Sequence, residues 1–467
     1  MLQTKRSLRL MAAVAAAGLL ATACGGDDGD TGGETETSAE TDGETGGETD
    51  GGGETSTEGA PSDGATDLEG AQVSFFGAPT SVEGDAINQV IDEYFNGPYN
   101  ADAFYEGSDS FETQIKIRVD GGNPPDIALY PQPGSVIEQA EAGNAVALED
   151  LGFDIADLEE RFGSYLMSLS EYEGKHYGIP TNVNYKSLIW YNIPVFEAEG
   201  YEIPETWEDL LALSEQMASD GYTPWVVGTG SDDATGWPAT DFMEDIVLRS
   251  QGPDVYDQWV SHEIPFDDAA IVSAGEQFGE ILFTDGWVVG GAENVPSIDF
   301  RDAPAAIIGE DPDALMMRQA SFITNFFPDG AEFGTDYGAF PFPSIDGQQG
   351  ALIAGELGVV FNDTPAVRAF LEVFTSQEAQ CAQGSIEGVS RISPNIETSA
   401  DCYENEIVAT SADNILSALR EESARFDASD LMPSEVGSGT FWTAMNEWMR
   451  GKDLEAALAD VEASWPS

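Results

Sequence analysis

Positive charge is what this sequence has least of. Its 467 residues carry 86 Asp and Glu against 17 Lys and Arg, a formal net charge of −69 at pH 7. Neutralising a phosphate backbone takes Lys and Arg, so nucleic acid is excluded as a partner and steering of anionic solutes is disfavoured. Histidine is nearly missing as well. His176 and His262 stand far apart, without a Cys or acidic cluster at ligand spacing, which gives no metal site and no cofactor to expect. Neither a nucleophile elbow nor a His-based dyad is present, so no catalytic residue is assigned. The apolar run Leu10 to Leu20 is too short for a stable membrane span, and no repeat of solenoid period occurs. The excess acid runs through the whole chain and leads us to expect a high-salt habitat, where screening relieves self-repulsion.

What is present begins with an address. Lys5, Arg6 and Arg9 precede the apolar run, and Ala21-Thr22-Ala23 brings small residues up to Cys24. Residues 1–23 read as a signal peptide, and the junction resembles a bacterial lipobox, which implies that Cys24 is acylated. From Gly25 to Asp67 the chain is Gly, Thr, Ser, Glu and Asp with almost no large apolar residue. Residues 24–67 are therefore expected to form a disordered acidic tether on the lipidated cysteine. The remaining roughly 400 residues exceed what one core organises, which predicts two lobes. With Cys24 assigned to lipid, Cys381 and Cys402 remain as a pair, and an oxidising compartment favours a disulfide over two free thiols.

Along the folded region strands alternate with helices, the pattern of an α/β sheet. Val73 to Phe76 and Asp126 to Tyr130 read as buried strands, each leading through turn residues into a helical pattern. Ser187 to Tyr191 and Trp225 to Val227 read as further strands. Thr206 with Asp209 forms a capping-box-like start to a helix that Gly221 ends. Leu357 to Phe361 is another strand, and Thr364-Pro365 starts the helix that carries Val367, Phe370, Leu371 and Phe374 on one face. In such sheets ligands bind beyond the carboxyl ends of strands, which singles out the loops Phe76 to Glu83 and Tyr130 to Gly134.

A family pattern overlies these elements. The stretch Gly174-Lys175-His176-Tyr177-Gly178-Ile179-Pro180, then Leu188-Ile189-Trp190-Tyr191-Asn192, then Ile203-Pro204-Glu205-Thr206-Trp207-Glu208-Asp209-Leu210 resembles solute-binding proteins similar to maltose-binding protein. Asn123-Pro124-Pro125-Asp126-Ile127, Met317-Arg318-Gln319-Ala320-Ser321-Phe322 and Gly439-Thr440-Phe441-Trp442 continue the resemblance in family order. Within the family, binders of α-glucosides and oligosaccharides are the most similar. The resemblance implies an α/β, two-lobed periplasmic-binding-protein fold of type II, with hinge crossovers and a cleft between lobes. Lobe 1 would be 68–181 with 340–392 and lobe 2 would be 182–339 with 393–467, the chain crossing near 180–185, 340–350 and 389–394.

Sugars need flat apolar faces for their C–H surfaces and planar hydrogen-bonding groups for their hydroxyls. Loop position and the resemblance together name Phe76, Thr80, Glu83, Asp109, Tyr130 and Gln132 in lobe 1. They name Asn182, Asn184 and Tyr185 at the crossing, and Trp237, Gln319, Phe322 and Trp442 in lobe 2. Several have plainer alternatives: Phe76 and Tyr130 as core aromatics, Asn182 and Asn184 as partners of crossing backbone, Gln319 as a strand end, Trp237 as a surface plug. The implied function is binding without catalysis, by a lipid-anchored extracytoplasmic monomer that passes a small-molecule sugar to the permease subunits of an ABC transporter. Three other readings stay open: a binder of a cationic solute such as a polyamine, an exported glycoside hydrolase working with two carboxylates, and a tethered sensor for a membrane partner.

Overall fold

A computed structural model describes residues 68–466. Cys24, the signal peptide and the tether lie outside the described residues. Among the described residues eleven strands run in chain order: β1 Gln72–Gly77, β2 Asp102–Gly107, β3 Ile127–Tyr130, β4 Glu171–Tyr172, β5 Lys175–His176, β6 Ile179–Tyr185, β7 Leu188–Asn192, β8 Met316–Arg318, β9 Tyr337–Pro341, β10 Ala351–Val360 and β11 Ala424–Phe426.

Two of the three sheets among the described residues organise the fold; the third is the pair β4 and β5. In the larger, β1 lies parallel to both β2 and β3. The long strand β10 runs antiparallel to β6 along one edge; its other edge takes β11 near the start and β3 near the end. Both faces are covered, as the continuous apolar runs require. Phe75 packs with Phe370 and Phe374 on one side, while Phe76 and Tyr130 pack with Phe111, Val136 and Val359 on the other. The smaller sheet has β7 between β8 and β9, all antiparallel. The expected strand at Trp225 to Val227 is reduced to single bridges from Trp225 to Val288 and to Met316 of β8. Its Trp225 side chain is fully buried, so the apolar signal reported burial and not a ladder.

The chain leaves the large sheet through Tyr185 to Leu188 and returns between β9 and β10. Ile392 lies beside the first of these crossings, accepting the Val183 N–H at 3.0 Å. Cys381 and Cys402 are joined as a disulfide. Local signals hold where they were read. The Thr206 hydroxyl accepts from the Asp209 N–H at 3.2 Å, Gly221 ends that helix with φ 100°, and the Thr364 hydroxyl caps the helix Pro365–Phe374. Among the described residues no helix is long and apolar enough to cross a membrane.

Candidate functional site

A cleft of about 270 Å³ opens beside β6 and β10 of the larger sheet. It gathers Thr80, Glu83, Asp109, Gln132, Asn182, Asn184, Trp237, Phe322 and Trp442 from seven separate stretches of chain. Four other named residues are placed elsewhere. Phe76 and Tyr130 sit in the core beneath the sheet, edge-on or tilted against Phe111 with centroids 5.3 and 5.4 Å away. Their alternation along strands buried on both faces turns them away from the cleft. Tyr185 is a core residue beside the smaller sheet and donates its N–H to Ser321 Oγ. Gln319 folds back on its own backbone, where its Oε1 accepts from the Ala320 N–H at 2.7 Å and its carbonyl takes the Trp190 indole N–H.

One wall is aromatic. Trp237 opens a helix that Gly236 precedes at φ 127°, and a Cβ on Gly236 would lie 2.5 Å from the Trp442 carbonyl oxygen. Only glycine permits this approach of the two tryptophans' backbones. Around Trp237 stand Phe300 at 5.0 Å edge-on and Phe322 at 5.9 Å, with Phe326 beyond. These rings offer apolar faces with 47–82° between their planes, a geometry suited to several C–H faces of one ligand.

The opposite end is polar. Strand β10 has an irregular register against β6 between Glu356 and Leu357, which lets Glu356 line the cleft while Leu357 stays in the core. A Cβ at Gly355 would meet the Asn182 carbonyl at 2.2 Å, so the two strands are as close as backbone allows. Asn182 Oδ1 accepts the Ile392 N–H, whereas Asn184 Oδ1 is buried without a hydrogen-bond partner among the described residues. An orphaned acceptor in a cleft marks a place for a ligand donor. Glu83 accepts from Ser390 Oγ at 3.0 Å, and its burial pushes the carboxyl above its ordinary value against the pull of Arg391.

The floor carries charge that reasoning from sequence missed. Lys186 Nζ lies 2.9 Å from Asp241 and 2.7 Å from Asp427, and 4.8 Å over the Trp237 ring. Burial opposes its charge, but the two carboxylates outweigh burial and raise its pKa. Burial, despite Lys186, lifts Asp241 to about 7, whereas Lys186 overcomes burial at Asp427 and holds that carboxyl low. Arg318 joins Asp241 to Asp245, so the floor is a buried chain of alternating charges. Carboxylate oxygens of Asp241, Glu244 and Asp427 come within 4.8 Å of one another. Lys186, Arg318 and the Ala428 and Ser429 N–H groups already meet their charge. Glu112 and Asp430 also line the cleft, both raised by burial; the charge of Asp427 raises Asp430 further. Lys186 had a readable signal, being one of five lysines and directly following Tyr185. Asp430 had none.

A cleft between two α/β lobes, aromatic on one wall and hydrogen-bonding on the other, defines a receptor for a small solute. Residues 78–380 match the model of the bacterial extracellular solute-binding protein family. The chain belongs to that family, whose members bind solutes outside the cytoplasm and are not enzymes. It is 38% identical over 413 residues to the alpha-glucosides-binding periplasmic protein AglE of Rhizobium meliloti, covering 86% of this chain and 88% of that protein. The osmoprotective compounds-binding protein GgtB of Synechocystis is 35% identical over 415 residues, with coverages of 88% and 96%. Among solved structures, the bacterial solute receptor AcbH superposes with a TM-score of 0.71 at 20% identity over 84% of this chain and 97% of that one. RafE in complex with raffinose gives 0.64 at 19% identity, over 84% and 98%. These structural likenesses establish the two-lobed type II fold.

Proposed function

We propose that this protein captures a short sugar, an α-glucoside or small oligosaccharide, and delivers it to the permease subunits of an ABC transporter. The observation that carries the reading is the pairing, in one small cleft, of the Trp237, Phe300, Phe322 and Trp442 rings with the amides and carboxyls of Asn182, Asn184, Glu83 and Glu356. Rings stack on sugar C–H faces, and carboxyl and amide oxygens accept from hydroxyls. The volume favours a ligand of one to a few rings. AglE is named for alpha-glucosides and GgtB for osmoprotective compounds, two descriptions that small neutral glycosides can meet together. In this reading Cys24 carries the lipid that keeps a monomeric receptor at the outer face of the membrane. The lobes are 68–181 with 340–392 and 182–339 with 393–467, and solute bridging them favours the shut form.

Thermal-shift titration tests it, using the chain with trehalose, sucrose, maltose, longer glucosides and the polyamine spermidine. A ligand that binds only the folded state raises the melting temperature. We expect a shift with one group of glucosides; a shift with spermidine alone would replace the sugar by a cationic solute.

A further inference from the structure

We propose that Arg301 draws the cleft shut, acting from one rim on Asp109 of the other, and that this single guanidinium makes closure depend on ionic strength. One rim is the start of the helix Phe111–Asp120 beside β2, with Asp109 and Thr113. The other consists of the stretch around Asp232 and Asp233 and the residues Asp299 to Arg301, joined by the bridge Gly230↔Asp299. Across the mouth Arg301 Nη2 lies 3.5 Å from Asp109 Oδ1, and Thr113 Oγ1 donates to Asp233 Oδ2 at 3.0 Å.

On its own rim Arg301 is held by Asp299 at 3.0 Å and Asp232 at 3.8 Å, and it lies over the Phe300 ring, 4.6 Å from the centroid. Those contacts orient the guanidinium whether the cleft is open or shut. Of the contacts of Arg301, that with Asp109 alone requires the rims to meet, and only a contact that differs between the two states can shift their balance. Asp109 is itself held in place by the Thr80 hydroxyl at 3.2 Å. The arrangement sets Asp109, Asp232 and Asp299 around one cation. Remove that cation, and closing the cleft drives the Asp109 carboxylate against those of Asp232 and Asp299, in a chain whose net charge already opposes compaction. Arg301 is thus a positioning residue, and the repulsion it offsets is of the screened, solvent-exposed kind. At 1 M salt the Debye length is about 3 Å, short enough to remove most of it.

This inference rests on the cleft being the binding site, so its main test uses no ligand. Spin labels are placed at Lys116→Cys, in the helix Phe111–Asp120, and at Glu293→Cys, in the short helix Ala292–Ser297 just ahead of Asp299, both exposed, in the full chain with Cys24→Ser. The inter-label distance is measured by pulsed electron resonance. We expect Arg301→Gln to lengthen it relative to the Arg301 chain in dilute buffer, Arg301→Lys to restore part of the shortening, and molar NaCl to abolish the difference. Equal distances for Arg301→Gln and the parent in dilute buffer overturn the proposal. Trehalose titration adds a second arm, in which Arg301→Gln weakens binding about tenfold in dilute buffer and recovers in molar salt. A loss that persists unchanged in molar salt makes Arg301 a direct ligand contact and refutes the rim role. A parent chain that binds no sugar at all bears on the proposed function alone, because the distance measurement stands without it.

Discussion

At the scale of single residues, the cleft contains side chains that serve the ligand and side chains that serve the fold, and substitution separates them. Phe322 is half-buried on the aromatic wall, so Phe322→Ala removes a stacking face while disturbing little packing. We expect sugar affinity to fall about tenfold by calorimetry with the melting temperature nearly unchanged, since one aromatic face contributes on the order of 1 kcal/mol. Trp442 differs because it is largely covered and its indole N–H reaches Ser429 Oγ at 3.3 Å. Trp442→Ala should therefore lose more than tenfold in affinity and also lower the melting temperature, by the roughly 3–5 kcal/mol of a large-to-small core change. Lys186→Met makes the contrast sharpest. It leaves Asp241 and Asp427 buried without their ammonium, which costs about 3–5 kcal/mol. Calorimetric unfolding should register this as a severe loss of stability, and a chain that melts as the parent does would show that the floor does not depend on Lys186.

At the scale of elements, what could be read from sequence was what periodicity and caps encode. Thr206, Gly221 and Thr364 act locally, so a helix start or stop is legible without knowing what packs on it. Strands β1, β3 and β10 announced themselves as apolar runs, but a strand buried on both faces gives no alternation to say which side chain meets the cleft. That is why Phe76 and Tyr130 stood among the candidates although both lie beneath the sheet. The charged floor was illegible for a related reason. Lys186, Asp241, Arg318 and Asp427 are far apart in sequence and meet only through the crossing strands, and each acid is one of 86. The disulfide, by contrast, followed from counting. It closes a loop with a sequence separation of 21, next to the crossing at Ile392 and away from the cleft lining. Replacing Cys381 and Cys402 by Ser should lower stability by about 3 kcal/mol through the freed unfolded chain, while sugar affinity stays within about twofold. A large loss of affinity would mean that the crosslink shapes the cleft.

At the scale of the whole molecule, charge decides under which conditions this fold is stable, and two terms act in the same direction. Burial raises the carboxyls of Asp241, Glu244, Glu83, Glu112 and Asp430 above their ordinary values. A carboxyl with a raised folded-state pKa holds its proton in the native state after the unfolded chain has released it. The native state then binds more protons, and stability falls as pH rises. For Asp241 the window runs from its ordinary 3.8 up to about 7. Asp427, held low by Lys186, works in the opposite sense, but only below its ordinary 3.8. Repulsion among 86 acids also grows as they ionise, and it too is relieved at lower pH. The melting temperature in dilute buffer should therefore be higher near pH 5 than near pH 8. Salt separates the two terms, because a Debye length of about 3 Å at 1 M quiets exposed charges but reaches buried groups far less. Molar NaCl should raise the melting temperature at pH 8 and shrink, without abolishing, the difference from pH 5. If salt leaves the curve at pH 8 where it was, self-repulsion is not what limits this protein, and its acidity has no link to a saline habitat. If salt erases the pH dependence entirely, the buried carboxyls contribute nothing to it, and the floor of the cleft is better solvated than its geometry indicates.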